Sequence, residues 1–460
     1  MTSTHLCPLS NGGGVLSYKQ KFIGGVFIMK NKVSGFTLVE LLAVIVILAI
    51  ILVIAVPKIS EVISSSKKAS FESSAKTIAA QAEKKKMENE ILDNTNPINC
   101  NNLVKLSNTD YISCSVYFDA DNNALVTLYG SGKFEGLQII NGTKESVKAE
   151  EIKAPVYGNA VNYVNGLYAY DASSNGLEKD TTSDANIRYV GGTPKNYVEF
   201  NGEVWRIIGV FGSNLKLVRD DILTTYSFDN KTTAQGIETD YGTNDWSNSY
   251  LREFLNDYYY EGKAITCHSD SSGAQKAANR TIDCPSINRI NAPAKSMIQK
   301  ATWNLGGTPW KTSDPPYETY TVNELYEKER GKEVYTGHAT TSTDYVGLIY
   351  PSDYGYASTD ASCRQNLRAG LTYVNDAYVG TPTCKNNNWL YNATIYYTIS
   401  PGYSDIFARF DLLYYVSDNG RLGNDRAFVR NGIRPSLYLK SNVKIVSGLG
   451  TKDNMYKLEI

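Results

Sequence analysis

The side chains that could do chemistry in this sequence fall into three groups. Glu40 stands alone inside the run Phe36 to Val56, FTLVELLAVIVILAIILVIAV, whose 21 residues hold one charge and one hydroxyl, Thr37. A charged side chain in such a segment costs about 2.5 kcal/mol or more to insert in a bilayer, so the carboxylate calls for a cation. Of the seven cysteines, Cys7 lies in the first 35 residues and the other six, Cys100, Cys114, Cys267, Cys284, Cys363 and Cys384, form three sequence-local couples spaced like disulfide loops rather than C-x-x-C metal knuckles. Six cysteines allow fifteen pairings, and the sequence leaves the connectivity open. Histidine is scarce: beyond the first 35 residues only His268 and His338 occur, poor material for a histidine-paired nucleophile or a multi-histidine metal site. We expect no metal, no cofactor and no enzyme.

Other catalytic constellations are weakly marked. Carboxylate pairs for glycoside hydrolysis could be drawn from Glu333, Asp344, Asp353 or Asp360, yet no pair stands out and aspartate is common in turns. Cys363 or Cys384 as a copper-binding or oxidase thiol would have to stay reduced in an oxidising compartment. Tyrosine is the informative excess, at 34 residues, with clusters at Tyr258 to Tyr260, Tyr317, Tyr320, Tyr345 and Tyr414-Tyr415. Tyrosine gives large rigid contact area with a polar tip, which suits carbohydrate or protein recognition. The octet YPSDYGYA, with Tyr350, Asp353, Tyr354 and Tyr356, is the candidate ligand surface.

The elements that position these groups begin with the apolar run. At about 1.5 Å per residue it spans roughly 30 Å as a helix, the thickness of a bilayer core. Lys30 and Lys32 before it place its start in the cytoplasm and everything after Pro57 outside. Lysine plus arginine number 46 against 47 acidic residues, so no global basic field draws the chain to nucleic acid.

The segment Ser34-Gly35-Phe36-Thr37-Leu38-Val39-Glu40-Leu41-Leu42 resembles the processing signal of type IV prepilins and pseudopilins. The resemblance implies cleavage by a prepilin peptidase between Gly35 and Phe36, N-methylation of Phe36, and assembly with other pilin subunits through the helix. Glu40 would pair with a neighbouring subunit's terminal ammonium, turning a costly charge into a register-setting one. Pro57 corresponds to a proline at which related helices bend. Residues 1–35 read as the leader; Met29-Lys30-Asn31-Lys32-Val33-Ser34-Gly35 alone has the expected short basic form, so Met29 is the expected true start.

Beyond Pro57 the helical pattern continues, with Phe71, Ala75, Ile78 and Ala82 on one stripe and Lys67, Lys68, Lys84, Lys85 and Lys86 as a solvated face. The runs YISCSVYF and NALVTLYG alternate as hairpin strands, and DADNN from Asp119 reads as a turn, since Ala124 and Gly130 break the calcium-loop pattern. Residues 36–153 therefore read as a small pilin-like domain with a membrane helix at 36–56. Residues 154–190 are polar and linker-like, and 191–460 form an extracellular β-rich module.

In that module EVWRIIGV and LKLVR pair across Gly212-Ser213-Asn214, and SYLREFLNDYYY forms a capped helix with Leu251, Phe254, Leu255 and Tyr258 on one face. YYTISP and RPSLYLKSNVKI read as later strands. W-R-I-I, S-x-L-R-x-F-L-N, Y-P-S-D-Y-G-Y-A and R-P-x-L-Y-L resemble an uncharacterised extracellular module of Gram-positive surface proteins. The order of elements is also similar to C-type-lectin-like and formylglycine-generating-enzyme folds, an analogy that licenses no function. The expected fold class is α+β: a long helix on a small antiparallel sheet, then a larger β-rich α+β domain. The expected protein is a single-pass membrane subunit of a type IV pilus, minor or at the tip, carrying the module for adhesion to a carbohydrate or protein ligand. The rival readings are a pseudopilin of a competence or type II-like secretion system, the one case in which nucleic acid would be a partner, and a membrane-tethered surface enzyme.

Overall fold

Strong helix formers and the absence of glycine carry one helix, Leu38–Ile91, through Pro57, where the missing N–H removes one backbone hydrogen bond. The computed structural model describes residues 37–92, 98, 100–104, 109–234, 237–308, 318–335, 337–365, 367–369, 382–402 and 411–460. The chain divides into two units between Ile63 and Ser64. In the first, the apolar side chains from Leu38 to Ile63 point outward, Leu38 at 84% exposure and Val53 at 74%, long and apolar enough to cross a membrane.

In the second unit the same helix turns its expected stripe inward. Phe71, Ala75, Ile78 and Ala82 are buried, joined by Ala79. They face a four-stranded antiparallel sheet in sequential order, Tyr111–Phe118, Ala124–Gly130, Leu137–Gly142 and Glu150–Glu151. The alanines let the sheet approach closely while Phe71 packs its ring 5.0 Å from Phe134 and 5.9 Å from Tyr111. Polar ties fix the register: Glu72 accepts from the Ala149 N–H at 2.9 Å, and Lys144 pairs with Glu83 at 2.7 Å. Lys67 donates to the Glu135 carbonyl and Lys86 to Asn122, so two of the expected solvated lysines in fact clamp helix to sheet. Asp119 accepts from the Asp121 and Asn123 N–H groups, as a turn should.

The stretch 154–190, expected to be a linker, is instead structured. Asn159 caps a helix, Ala160–Asn175, that ends at Gly176 in the left-handed conformation. Residues 160–167 are buried, and Ile187–Tyr189 is a buried strand. Its asparagines mislead by letter alone: Asn162 is buried and receives the Ser115 hydroxyl, while Tyr129 donates to its carbonyl. This helix therefore packs the small sheet against the module.

Two sheets are the largest in the module. The larger runs Ile298–Gln299, Ser436–Leu439, Asn214–Arg219, Glu203–Phe211, Ile187–Tyr189, Leu177–Lys179; Val346–Gly347 adds to the second strand and Tyr197–Phe200 to the fourth. The other orders Thr224–Ser227, Arg430–Ile433, Tyr396–Pro401, Leu412–Val416, Leu422–Arg426. Neither closes on itself among the described residues, so the fold is α+β and β-rich without a demonstrated lectin-like closure. The closing run from Arg434 is two strands, Ser436–Leu439 and Lys444–Ser447, in different sheets. In SYLREFLNDYYY, Ser249 caps as expected, but the turns loosen to π spacing from Phe254. The wider turn moves the buried face from Tyr258, half-buried, to Tyr259 and Tyr260.

Phe71 is the keystone of the smaller core. Phe71→Ala should cost about 3–5 kcal/mol, read as a lower urea midpoint of the detergent-solubilised chain, while Lys84→Ala should stay within about 0.5 kcal/mol. Equal effects would show that the stripe does not hold the helix to the sheet.

Candidate functional site

The functional features divide between the start of the helix and the heart of the module. Thr37 is the first described residue, and Gly35 and Phe36 lie outside the described residues. Thr37 and Glu40 form a reciprocal cap: the Thr37 N–H and hydroxyl donate to Glu40 Oε2 at 2.8 and 2.9 Å, and the Glu40 N–H donates to Thr37 Oγ1 at 3.3 Å. The T-x-x-E spacing was legible in the sequence as a capping box. Within one chain, then, the carboxylate is locally satisfied and sits at the positive end of the helix dipole, which lowers the cost of an acid in an apolar segment.

The three cysteine couples are disulfides: Cys100–Cys114, Cys267–Cys284 and Cys363–Cys384. Each closes a local loop, and the last removes Cys363 and Cys384 from thiol chemistry. His268 stacks on Tyr250 at 3.9 Å, and His338 lies between the Ala339 and Asn244 carbonyls. Among the described residues no cluster of three His, Cys, Asp or Glu could hold a metal. Of the carboxylates considered for hydrolysis, Asp344 is buried against Trp246 and Arg252, Asp360 caps a short helix through Ser362, and Glu333 pairs with Lys328.

The expected ligand surface is corrected outright. Tyr350, Asp353, Tyr354 and Tyr356 are each at most 2% exposed, so YPSDYGYA offers no contact surface. Its segment Pro351–Tyr356 is a short buried helix whose Asp353 accepts from the Tyr350 N–H. Asp353 also receives Arg188 Nη1 at 2.8 Å and Lys216 Nζ at 2.5 Å, while Arg188 Nε reaches Asp180 at 2.6 Å. The Arg188 guanidinium lies 4.6 Å from the ring centres of Phe211 and Tyr356, and Lys216 Nζ lies 4.2 Å from that of Tyr350. The tyrosines thus wall an ion cluster. Tyr317 lies outside the described residues, and Tyr320 and Tyr414 are buried.

Burial would raise the Asp353 pKa, but the Lys216 and Arg188 charges outweigh it and hold it at about 2. Burial pushes the Lys216 ammonium down to about 8 against the pull of Asp353. Beside them Glu329 accepts from the Ser352 N–H at 2.8 Å and hydroxyl at 2.5 Å. Burial drives its carboxyl up to about 7; Arg330 and Ser352 oppose this, and the Asp353 charge adds to it. Sequence reasoning missed Arg188, Lys216 and Glu329. Lys216 alternates with Leu215 and Leu217, the usual mark of a solvent-facing position, but this sheet is covered on both faces and all three are buried.

Glu329 supplies a pH test. The fold keeps its proton to about 7 whereas the unfolded carboxyl releases it near 4.5, so stability falls as pH rises between those values, on the order of 3 kcal/mol in full. Glu329→Gln should flatten that decline in urea midpoints measured from pH 4.5 to 7.5. Parallel slopes in the two proteins would show Glu329 already ionised in the fold.

Residues 30–56 match the family model of the prokaryotic N-terminal methylation motif, a span that includes Lys30, Lys32, Gly35, Phe36, Glu40 and the apolar run to Val56. No curated protein matches the chain, and no solved structure does. The chain carries a prepilin-type N-terminal signal and, among the described residues, one helix long and apolar enough to cross a membrane, features consistent with a pilin or pseudopilin in general and with a single-pass anchor bearing an extracellular C-terminal part.

Proposed function

We propose that the chain is a prepilin-like subunit of a type IV pilus, minor or at the tip, that acts by assembly and presentation rather than by catalysis. The observation that carries the reading is the methylation motif over residues 30–56, set on a helix whose apolar side chains are outward before Ile63 and inward from Phe71. Such a helix has one half for lipid or neighbouring helices and one half for its own head. Processing at Gly35 would place a free ammonium one residue before Thr37. Glu40 would then exchange its cap with Thr37 for a stronger charge pair when a neighbouring subunit brings that ammonium close.

Size favours a minor or tip position. Scaling gives the unit Ser64–Ile460 a radius of gyration of about 21 Å, against about 12 Å for a head of roughly 90 residues such as 64–153. Repeating the larger body along a shaft would crowd it, whereas one copy at an end would not. Three disulfides in the outer part suit an oxidising exterior.

The test is mass spectrometry of sheared surface filaments and membranes. Gly35→Ala should abolish the peptide beginning at methylated Phe36. Glu40→Val should leave that peptide in membranes but deplete the chain from filaments about tenfold or more, corresponding to roughly 1.4 kcal/mol or more of assembly free energy. Normal incorporation of both variants would overturn the reading.

A further inference from the structure

Arg206 stands on the strand Glu203–Phe211 and is 4% exposed. Its Nε donates to Asn196 Oδ1 at 2.6 Å, its Nη1 lies 3.4 Å from Asp220, and its Nη2 finds no hydrogen-bond acceptor among the described residues. The Tyr197 ring centre lies 3.7 Å from the guanidinium carbon and that of Trp389 lies 4.7 Å away, so the fork is held between aromatic groups with one donor unspent. An unsatisfied donor on a buried guanidinium is costly, and a carboxylate satisfies it best because the two planes match.

The cavity that Arg206 lines makes such a ligand feasible. It has a volume of about 400 Å³, within the range of small-molecule sites. Arg434, itself 1% exposed, and Lys385 line it too, as do Asp220 and Asp221. Burial depresses the Arg206 guanidinium, and the nearby Arg434 charge depresses it further; an anion would relieve both. Three cations against two carboxylates leave one net positive charge, which a monoanion neutralises and a dianion exceeds. Asn392 lines the same cavity, and its Oδ1 is buried and accepts no hydrogen bond among the described residues. It calls for a donor, as do Asp220 and Asp221, and a hydroxyl supplies one.

We propose that this cavity binds a hydroxyl-bearing monocarboxylate of the uronic-acid class, an acidic sugar, with its carboxylate on Arg206 and a hydroxyl on Asn392. The binding does not depend on assembly. A measurement on the purified chain succeeds or fails whether or not filaments incorporate it, and so is separable from the pilus reading.

The test is titration of the full chain in detergent micelles with sodium glucuronate, glucose, sodium acetate and inorganic phosphate, followed by calorimetry and tryptophan fluorescence. Glucuronate should saturate with a Kd near 1 mM, with glucose and acetate each about tenfold weaker or more. Lys385→Glu, at a half-buried position of the wall, should weaken glucuronate about tenfold with an unchanged melting temperature. Arg206→Lys should do the same by keeping the charge but losing the fork. If Arg206→Lys fails to fold, Lys385→Glu decides. The proposal is overturned by no saturation to about 50 mM, by glucose or acetate binding as tightly as glucuronate, by phosphate binding more tightly, or by glucuronate binding that ignores Lys385→Glu.

Discussion

The Asp353 carboxylate is the point on which the module closes. It holds Arg188 from one strand and Lys216 from another strand of the larger sheet, while capping its own short helix. Desolvating three charges costs several kcal/mol each, and only close geometry with nearly every lone pair used returns that cost. Removing one partner would leave a buried charge uncompensated, typically a loss of about 3–5 kcal/mol. An apolar cluster of equal volume could be as stable. The ion cluster adds directional requirements, because Arg188 also meets Asp180 and Lys216 sits beside Tyr350.

That constraint explains which parts of the structure were legible. The stripe Phe71, Ala75, Ile78 and Ala82 was readable because an amphipathic helix against one sheet has a wet side and a dry side, and period alone separates them. The hairpin strands and the Asp119 turn were readable for the same local reason. The Thr37–Glu40 cap was written in the spacing but was passed over, since an acid in an apolar run points first to a remote partner. The helix from Ala160 was read as linker because its asparagines look solvated, yet Asn162 is buried where the Ser115 hydroxyl supplies a partner.

The tyrosines and their aspartate were misread for a tertiary reason. Tyr350, Tyr354 and Tyr356 carry hydroxyls that find acceptors or donors inside: Tyr350 accepts from the Asn304 N–H, and Tyr354 donates to the Gly420 carbonyl. A phenol thus satisfies a core that is already polar, where phenylalanine would leave those backbone groups orphaned. No composition count separates a tyrosine-walled ion cluster from a tyrosine-rich contact surface. Partners 137 and 165 residues away do so, as with Lys216 and Arg188 on Asp353.

The same strands serve structure and recognition differently. Arg206 pairs in register with Val218, and the irregularity between Lys216 and Leu217 lies one residue further along the partner strand. A bulge re-aims the side chains on either side of it. Lys216 is spent on Asp353, and Arg188 reaches two carboxylates through Nε and Nη1, while its Nη2, like that of Arg206, finds no acceptor among the described residues. Arg206 has the neutral Asn196 on its Nε, one long contact to the Asp220 carboxylate and an unspent Nη2, and it lines a cavity. Where a buried cation has close carboxylates on two sides, the arrangement stores specificity of fold; where its one carboxylate is distant and it borders a cavity, an added anion can complete it.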